Sequence, residues 1–172
     1  MINKVSLQIV YSLYRYFKDA KERKLLVKSN NKTEVDLIGK TWPNKTVFLD
    51  FINPDTQSLW LNGLQSLYNQ ASMDGILINS DEAFNFCNKE WHDNGIIITK
   101  DNSSLPFNPF SDHYSVQNRS LLFDTQYFGT TDSEKELNIE YNIHSLYGTM
   151  VANATYQFWK GNSTLNSNFY LY

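Results

Sequence analysis

The sequence predicts an α/β fold in which short apolar strands are joined by a helix. The stretch TVFLDF (46–51) is rich in β-forming residues, and Asn53-Pro54 follows it as an N-cap residue and a proline at the first helical position. The next segment is helical in pattern and ends before the apolar run 76–78. Its apolar face carries Trp60, Leu64, Leu67 or Tyr68, and Ala71. Strand, helix and strand in this order predict a right-handed βαβ unit of a parallel sheet, open or closed into a barrel.

Polar side chains follow both predicted strands. Residues 50–53 come after the first strand, and a cluster of acids and amides comes after the second. This cluster consists of Asn79, Ser80, Asp81, Glu82 and Asn85. Because ligands of parallel sheets and barrels bind at the carboxyl ends of the strands, the sequence predicts a functional site here.

One further helix is predicted before this unit and one after it, and a long irregular stretch separates the unit from the second of these helices. Residues 5–17 carry an apolar stripe at steps of four and run into the charged segment KDAKERK (18–24). Between residues 84 and 137, turn-forming residues break the pattern, and GIIIT (95–99) is the one plausible short strand. Apolar residues at three- and four-residue steps then predict a helix from Ile143 to about Trp159.

Composition indicates one folded domain and excludes several classes of partner. Hydrophobic residues make up 41% of the 172 residues, which suits a globular core rather than disorder. Lys+Arg number 15 against 18 Asp+Glu, so we expect neither a nucleic-acid partner nor a polybasic membrane surface. The single cysteine, Cys87, can form neither an internal disulfide nor a thiolate zinc cluster. We expect no cofactor and no metal.

The sequence leaves the cellular compartment open. The apolar run LQIVYSLY near the N-terminus is short and lacks a small-residue cleavage site, so we predict no signal peptide. No segment approaches the roughly 20 apolar residues that span a bilayer. Asn-x-Ser/Thr sequons, which matter only in a secretory pathway, begin at Asn31, Asn44, Asn102, Asn118, Asn153 and Asn162.

Four patches of the sequence together resemble glycoside hydrolase family 31, the α-glucosidase family. GKTWPNKTVFLDFINPDTQSLW (39–60) is similar to the family's WPG…PDF…NP…WW pattern, and DGILINSDEAFNF (74–86) is similar to DG-W-IDMNEP-NF. LPFNPF (105–110) and YNIHSLYGTMVANATYQ (141–157) follow in the family's order, the last resembling its HNLYG helix. The resemblance implies a partial (β/α)8 TIM-barrel segment with a long loop-rich insertion.

The resemblance also implies a retaining hydrolysis that uses two carboxylates. At the position of the family's nucleophilic aspartate this chain has Asn79, and no Gly-Asp motif of the second carboxylate occurs in it. Asp81 could be imagined as a substitute nucleophile. However, residues two apart on a strand lie about 6 to 7 Å apart, whereas the attacking atom must come within about 3.5 Å of the sugar. We therefore interpret the centre as degenerate.

The resemblance also implies roles for single residues of this sequence that match the family's motifs. Trp42 matches the tryptophan that walls the sugar pocket, although Asn44 stands where the family has glycine. Packing of Trp42 in the core is the alternative interpretation. Asp50 and Ser80, which replaces the family's methionine, are further candidates for substrate binding. Glu82 matches the motif glutamate and is expected to be a structural hydrogen-bonding residue. His144 has no evident partner in the sequence and is interpreted as a structural residue at the start of a helix near the site.

We divide the chain into an unassigned N-terminal helix (1–23), a partial barrel domain (24–160, with the excursion 84–137) and a C-terminal tail (161–172). By resemblance, its function is hydrolysis of O-glycosyl bonds of α-glucosides, with activity expected to be lost. An alternative is a non-catalytic remnant that binds carbohydrate, or a partner through an open barrel edge, and a truncated gene product explains the same facts. The family makes a secretory or lysosomal-type compartment plausible.

Overall fold

Helices and short antiparallel strands alternate along the chain. The computed structural model describes residues 13–29, 35–41, 44–71, 75–78, 82–85, 89–91, 97–99, 121–129 and 131–161. The helices are α1 (Leu13–Glu22), α2 (Pro54–Gln70), α3 (Asp132–Leu137), α4 (Glu140–Ile143) and α5 (Tyr147–Gly161), with a 3₁₀ turn at His144–Leu146. The strands are β1 (Gly39–Thr41), β2 (Asn44–Thr46), β3 (Lys89–Trp91) and β4 (Ile97–Thr99).

The chain divides into two compact units. The first comprises residues 1–25, 51–82 and 145–172, and the second comprises residues 26–50 and 83–144. Helices α1, α2 and α5 therefore belong to the first unit, whereas the four strands and helices α3 and α4 belong to the second.

Helix α2 begins where the sequence predicts. The Asn53 side chain accepts a hydrogen bond from the backbone N–H of Asp55 at 3.0 Å, and Pro54 occupies the first turn. Arg23, just beyond α1, donates to the Asp55 carbonyl at 3.1 Å and to the Ser58 hydroxyl at 2.8 Å. The Asn53 bond satisfies an N–H of the first turn that has no acceptor within the helix, and the Arg23 bonds connect the end of α1 to the same turn.

The core of the first unit lies between α2 and α5. Leu64, Phe158 and Trp159 are buried in it. The indole N–H of Trp60 donates to the Thr155 hydroxyl at 2.9 Å, which joins the two helices by a polar contact as well. Partly buried hydrophobic residues pack around this cluster, namely Trp60, Leu61, Leu67, Tyr68 and Ile76. The predicted apolar face of α2 is thus confirmed except at Ala71, which is an exposed C-cap residue.

The second unit contains a narrow antiparallel sheet built from isolated bridges. Lys28 pairs with Asp36 on one side and with Gln126 on the other, and Gln126 pairs in turn with Ile139. The segments therefore lie in the spatial order 35–37, 27–29, 125–127 and 138–140. Strand β1 pairs with β2 and β3 pairs with β4, both in antiparallel register.

The predicted strand 46–51 is wrong in its extent. Strand β2 ends at Thr46, Leu49 forms an antiparallel bridge with Leu26, and a turn follows at residues 51–52. Its β-forming residues pair with the preceding segments of the chain. The pairing of a short strand is decided by the segments that pack beside it in the fold and not by its own β propensity. In the second predicted strand, Leu77 forms a bridge but is 52% exposed, so this run is not uniformly buried.

The excursion 84–137 contains more structure than its sequence predicts. The expected strand in GIIIT is confirmed as β4, and β3 pairs with it. Helix α3 was not predicted, although the sequence contains the threonine and the glutamate of a capping box at its start. The Thr131 hydroxyl accepts a hydrogen bond from the Glu134 N–H at 3.2 Å, and the Glu134 carboxylate accepts one from the Thr131 N–H at 3.0 Å.

The two terminal helical predictions are confirmed with changed bounds. Helix α1 continues past Phe17 to Glu22, while residues 1–12 lie outside the described part of the chain. The predicted helix 143–159 is present as α5, preceded by α4 and the 3₁₀ turn, and Tyr147 rather than Leu146 is buried. Within the described residues, no helix has the length and apolarity needed to cross a bilayer.

Candidate functional site

The structure describes three of the seven residues assigned to the site from the sequence. Asp50, Glu82 and His144 are described, whereas Trp42 and the motif residues Asn79, Ser80 and Asp81 lie outside the described residues. The site can therefore be followed through the segments that lead into and out of the motif.

Asp50 is buried and holds a loop of its own unit. Its side chain is 3% exposed, and its Oδ2 accepts a hydrogen bond from the backbone N–H of Phe128 at 2.6 Å. The carbonyl of the same Phe128 accepts from the Asn138 amide at 2.6 Å. Because a buried carboxylate needs donors, this contact gives Asp50 a structural role. A contact with substrate stays a prediction.

Asn85 anchors the segment that follows the motif. Its side chain is fully buried, and its Oδ1 accepts from the backbone N–H of Lys40 in β1 at 3.0 Å. A Cβ atom on the neighbouring Gly39 would lie 2.9 Å from the Phe48 ring and 3.3 Å from Asn85 Cγ, so β1 approaches closely because residue 39 is glycine. Glu82, by contrast, is exposed, and its expected hydrogen-bonding role stays a prediction.

The partner that the sequence did not reveal for His144 is Glu140. The Glu140 side chain is fully buried, with His144 Nδ1 2.7 Å from Oε1 and the Tyr127 hydroxyl donating to Oε2 at 2.6 Å. The His144 side chain is 31% exposed. The signal for this pair was the four-residue spacing, which places Glu140 and His144 on the same helical face. Tyr127 could not be found from the sequence, because it comes from a distant segment.

These contacts position backbone and helix termini rather than reacting groups. The carboxylates of Asp50 and Glu140 each bond donors from their own unit. Among the described residues, no group of three or more histidine, cysteine, aspartate or glutamate side chains is arranged to hold a metal ion. The described contacts thus supply a scaffold, and that of Asn85 fixes the segment that follows the motif.

Comparison with known proteins identifies the family to which this scaffold belongs. The model of the glycosyl hydrolases family 31 TIM-barrel domain matches residues 1–171. Intestinal sucrase-isomaltase of Rattus norvegicus is 30% identical over 145 residues, which are 84% of this chain and 7% of that protein. Lysosomal alpha-glucosidase of the same species is 28% identical over 145 residues, covering 83% of this chain and 14% of that protein.

A solved structure is also similar. The family 31 alpha-xylosidase from a soil metagenome, crystallised with xylose, superposes with a TM-score of 0.49 at 15% identity, covering 90% of this chain and 17% of that chain. The chain therefore spans a small part of each relative. By the match of the family model along nearly its whole length, this chain belongs to glycosyl hydrolase family 31 and forms part of that family's TIM-barrel domain.

Proposed function

We propose that this chain recognises an α-glucosidic carbohydrate without hydrolysing it. The support for the substrate class is the similarity to relatives named sucrase-isomaltase and lysosomal alpha-glucosidase. The support for the loss of hydrolysis is the residue at position 79.

The main support for this proposal is that residue 79 is an asparagine and not an aspartate. In a retaining hydrolysis, a carboxylate oxygen bonds to the anomeric carbon while the bond from that carbon to the leaving oxygen breaks and the leaving oxygen takes a proton. The carboxamide of Asn79 is uncharged. It therefore neither forms the glycosyl ester nor stabilises the positive charge that develops at the anomeric centre.

The described scaffold supports retention of a binding surface. The Asn85 side chain accepts a hydrogen bond from the backbone of β1. Strand β1 is followed directly by Trp42, the residue proposed to stack against the sugar. The segment after the motif and the strand before Trp42 are thus tied together by a fully buried side chain.

A mechanism-based covalent inactivator of retaining α-glucosidases tests the proposal. We expect intact-mass spectrometry of the purified chain to show no added sugar, and p-nitrophenyl α-glucoside to remain unhydrolysed. The variant Asp81→Ala serves as the matched control. Labelling or turnover that disappears in Asp81→Ala would show that Asp81 acts as the nucleophile and would overturn the proposal.

The reverse substitution, Asn79→Asp, asks how much of the catalytic machinery remains. Covalent labelling at residue 79 in this variant, with none in the parent chain, would assign the loss of activity to this single side chain. Folding of both proteins is compared by circular dichroism, so that a misfolded variant is not read as an inactive one.

Leu77 favours a second candidate function, association with another chain. This residue lies in an apolar run, yet it is 52% exposed. An exposed leucine beside a bridge-forming backbone is suited to pairing with a strand of a partner. Light scattering coupled to size exclusion tests this function: we expect a dimer or larger species that dissociates in Leu77→Lys, and a monomeric parent chain would remove the candidate.

A further inference from the structure

The buried face of the narrow sheet in the second unit carries a row of polar side chains. The bridges Lys28–Asp36, Lys28–Gln126 and Gln126–Ile139 fix the register of the four segments. One position further along each segment, the register aligns Val35, Ser29, Thr125 and Glu140 as neighbours across the sheet. The backbone bonds from Ser29 N to Val35 O and from Glu140 N to Thr125 O, both 2.9 Å, confirm this alignment.

Three residues of this row are buried. Ser29 is 3% exposed, while Thr125 and Glu140 are fully buried. Lys28 and Gln126, on the opposite face, are partly exposed. Three polar side chains thus stand side by side in the interior of the second unit.

Two of the three have no protein partner. The hydroxyl oxygens of Ser29 and Thr125 are both buried without a hydrogen bond. Lys28 and Gln126 exchange both of their backbone bonds, at 2.9 and 3.0 Å, so Ser29 and Thr125 form the adjacent non-hydrogen-bonded pair, in which side chains lie closest. An unsatisfied buried hydroxyl is costly, and two facing each other are rare in native proteins.

We propose that this row binds one buried water molecule, held between the hydroxyls of Ser29 and Thr125 beside the Glu140 carboxylate. Two hydroxyls and a carboxylate supply the two to four polar partners that a buried water requires. Each Glu140 oxygen already receives one contact, from His144 or from Tyr127, and retains a second lone pair. The water extends the Tyr127–Glu140–His144 cluster across the sheet to the segment 27–29.

A crystal structure of the full chain at a resolution that shows ordered water tests the proposal directly. We expect a fully occupied water within about 2.7–3.2 Å of both hydroxyl oxygens. A direct hydrogen bond between Ser29 and Thr125, or no density between them, would overturn it.

Unfolding measurements give an independent test in solution. If the water is bound, Ser29→Ala and Thr125→Val each remove one of its partners, and each raises the unfolding equilibrium constant by about tenfold. In the double variant, the unfolding equilibrium constant rises by clearly less than the product of the two single increases, because both substitutions remove the same water. Stabilised single variants, or strictly multiplicative effects, would show that the hydroxyls share no water.

The matched control for these variants is Thr149→Val. Thr149 is an exposed residue of α5, so the same loss of a hydroxyl there is expected to change the unfolding constant by less than about twofold. A change at Thr149 as large as that at Thr125 would attribute the effect to the replacement of a hydroxyl by a methyl group at any position, and would remove the support for the water.

Discussion

Three buried polar side chains of the second unit form hydrogen bonds with the backbone or with other side chains. Asp50 accepts a hydrogen bond from the backbone N–H of Phe128, and Asn85 accepts one from that of Lys40. The Glu140 carboxylate contacts the Tyr127 hydroxyl and the His144 ring by hydrogen bonds. The sequence could indicate the pair of Glu140 and His144 by its spacing. It could not indicate the other contacts, which join segments far apart in the chain and depend on tertiary packing.

The hydroxyl of Tyr127 is expected to contribute measurably to stability. It donates to a carboxylate that is fully buried, and hydrogen bonds to charged groups contribute about 1.5–3 kcal/mol. We predict that Tyr127→Phe lowers the free energy of unfolding by about that amount, measured by urea denaturation.

The control for this substitution is Tyr141→Phe. Tyr141 is 58% exposed, and its ring packs edge-on against Phe123, a contact that phenylalanine preserves. Its effect is expected to stay within about 0.5 kcal/mol. Equal effects of the two substitutions would mean that the bond to Glu140 adds no stability.

Two glycines are predicted to respond to alanine with opposite signs. A Cβ atom at Gly129 would lie 2.7 Å from the Lys135 backbone nitrogen, whereas at Gly63, inside α2, it would meet nothing within 4 Å. Gly129→Ala is expected to destabilise by about 1–3 kcal/mol through overpacking. Gly63→Ala is expected to stabilise by up to about 1 kcal/mol through helix propensity. Thermal unfolding of both variants decides, and a stabilised Gly129→Ala would contradict the close approach.

Among the elements, helices α2 and α5 were predictable from the sequence, whereas the pairing of the strands was not. Helix α2 carries its own start signal, and α5 carries a full amphipathic period, so local chemistry is sufficient for both. The segment 46–51 contains β-forming residues, but local propensity does not say which segment it pairs with. Its actual neighbours, β1 and Leu26, are found only once the chain has folded.

The N-cap of α2 is expected to be worth about 1 kcal/mol. The Asn53 side chain satisfies the N–H of Asp55, which has no acceptor within the helix. Asn53→Ala should therefore lower the midpoint of chemical denaturation, while Asn53→Asp should retain most of the stability because aspartate also caps. Gln57→Ala, at an exposed position of the same helix, is the control and should be nearly neutral. A neutral Asn53→Ala would show that Pro54 and the Arg23 contacts hold this terminus without the cap.

At the scale of the whole molecule, the resemblance of four patches in order predicted the family, and the match over residues 1–171 confirms it. The partial barrel fold follows from that membership. The details of pairing around residues 26–49 and 121–140 did not follow, because bridges between distant segments leave no periodic signal in the sequence. The loss of hydrolysis that we propose rests on the asparagine at position 79.

Binding and hydrolysis are expected to be separable in this protein. If the pocket persists without its nucleophile, maltose should change the intrinsic tryptophan fluorescence in a saturable way while releasing no glucose. Trp42→Ala should abolish the saturable change, because it removes the aromatic face proposed to stack on the sugar. Trp159→Phe is not a suitable control, since Trp159 is buried in the core. Tyr156→Phe, at an exposed position of α5, should leave the titration unchanged. A parent chain whose fluorescence does not respond to maltose, in a sample shown by circular dichroism to be folded, would contradict carbohydrate recognition. It would leave the proposed loss of hydrolysis at Asn79 untested, because the inactivator experiment decides that separately.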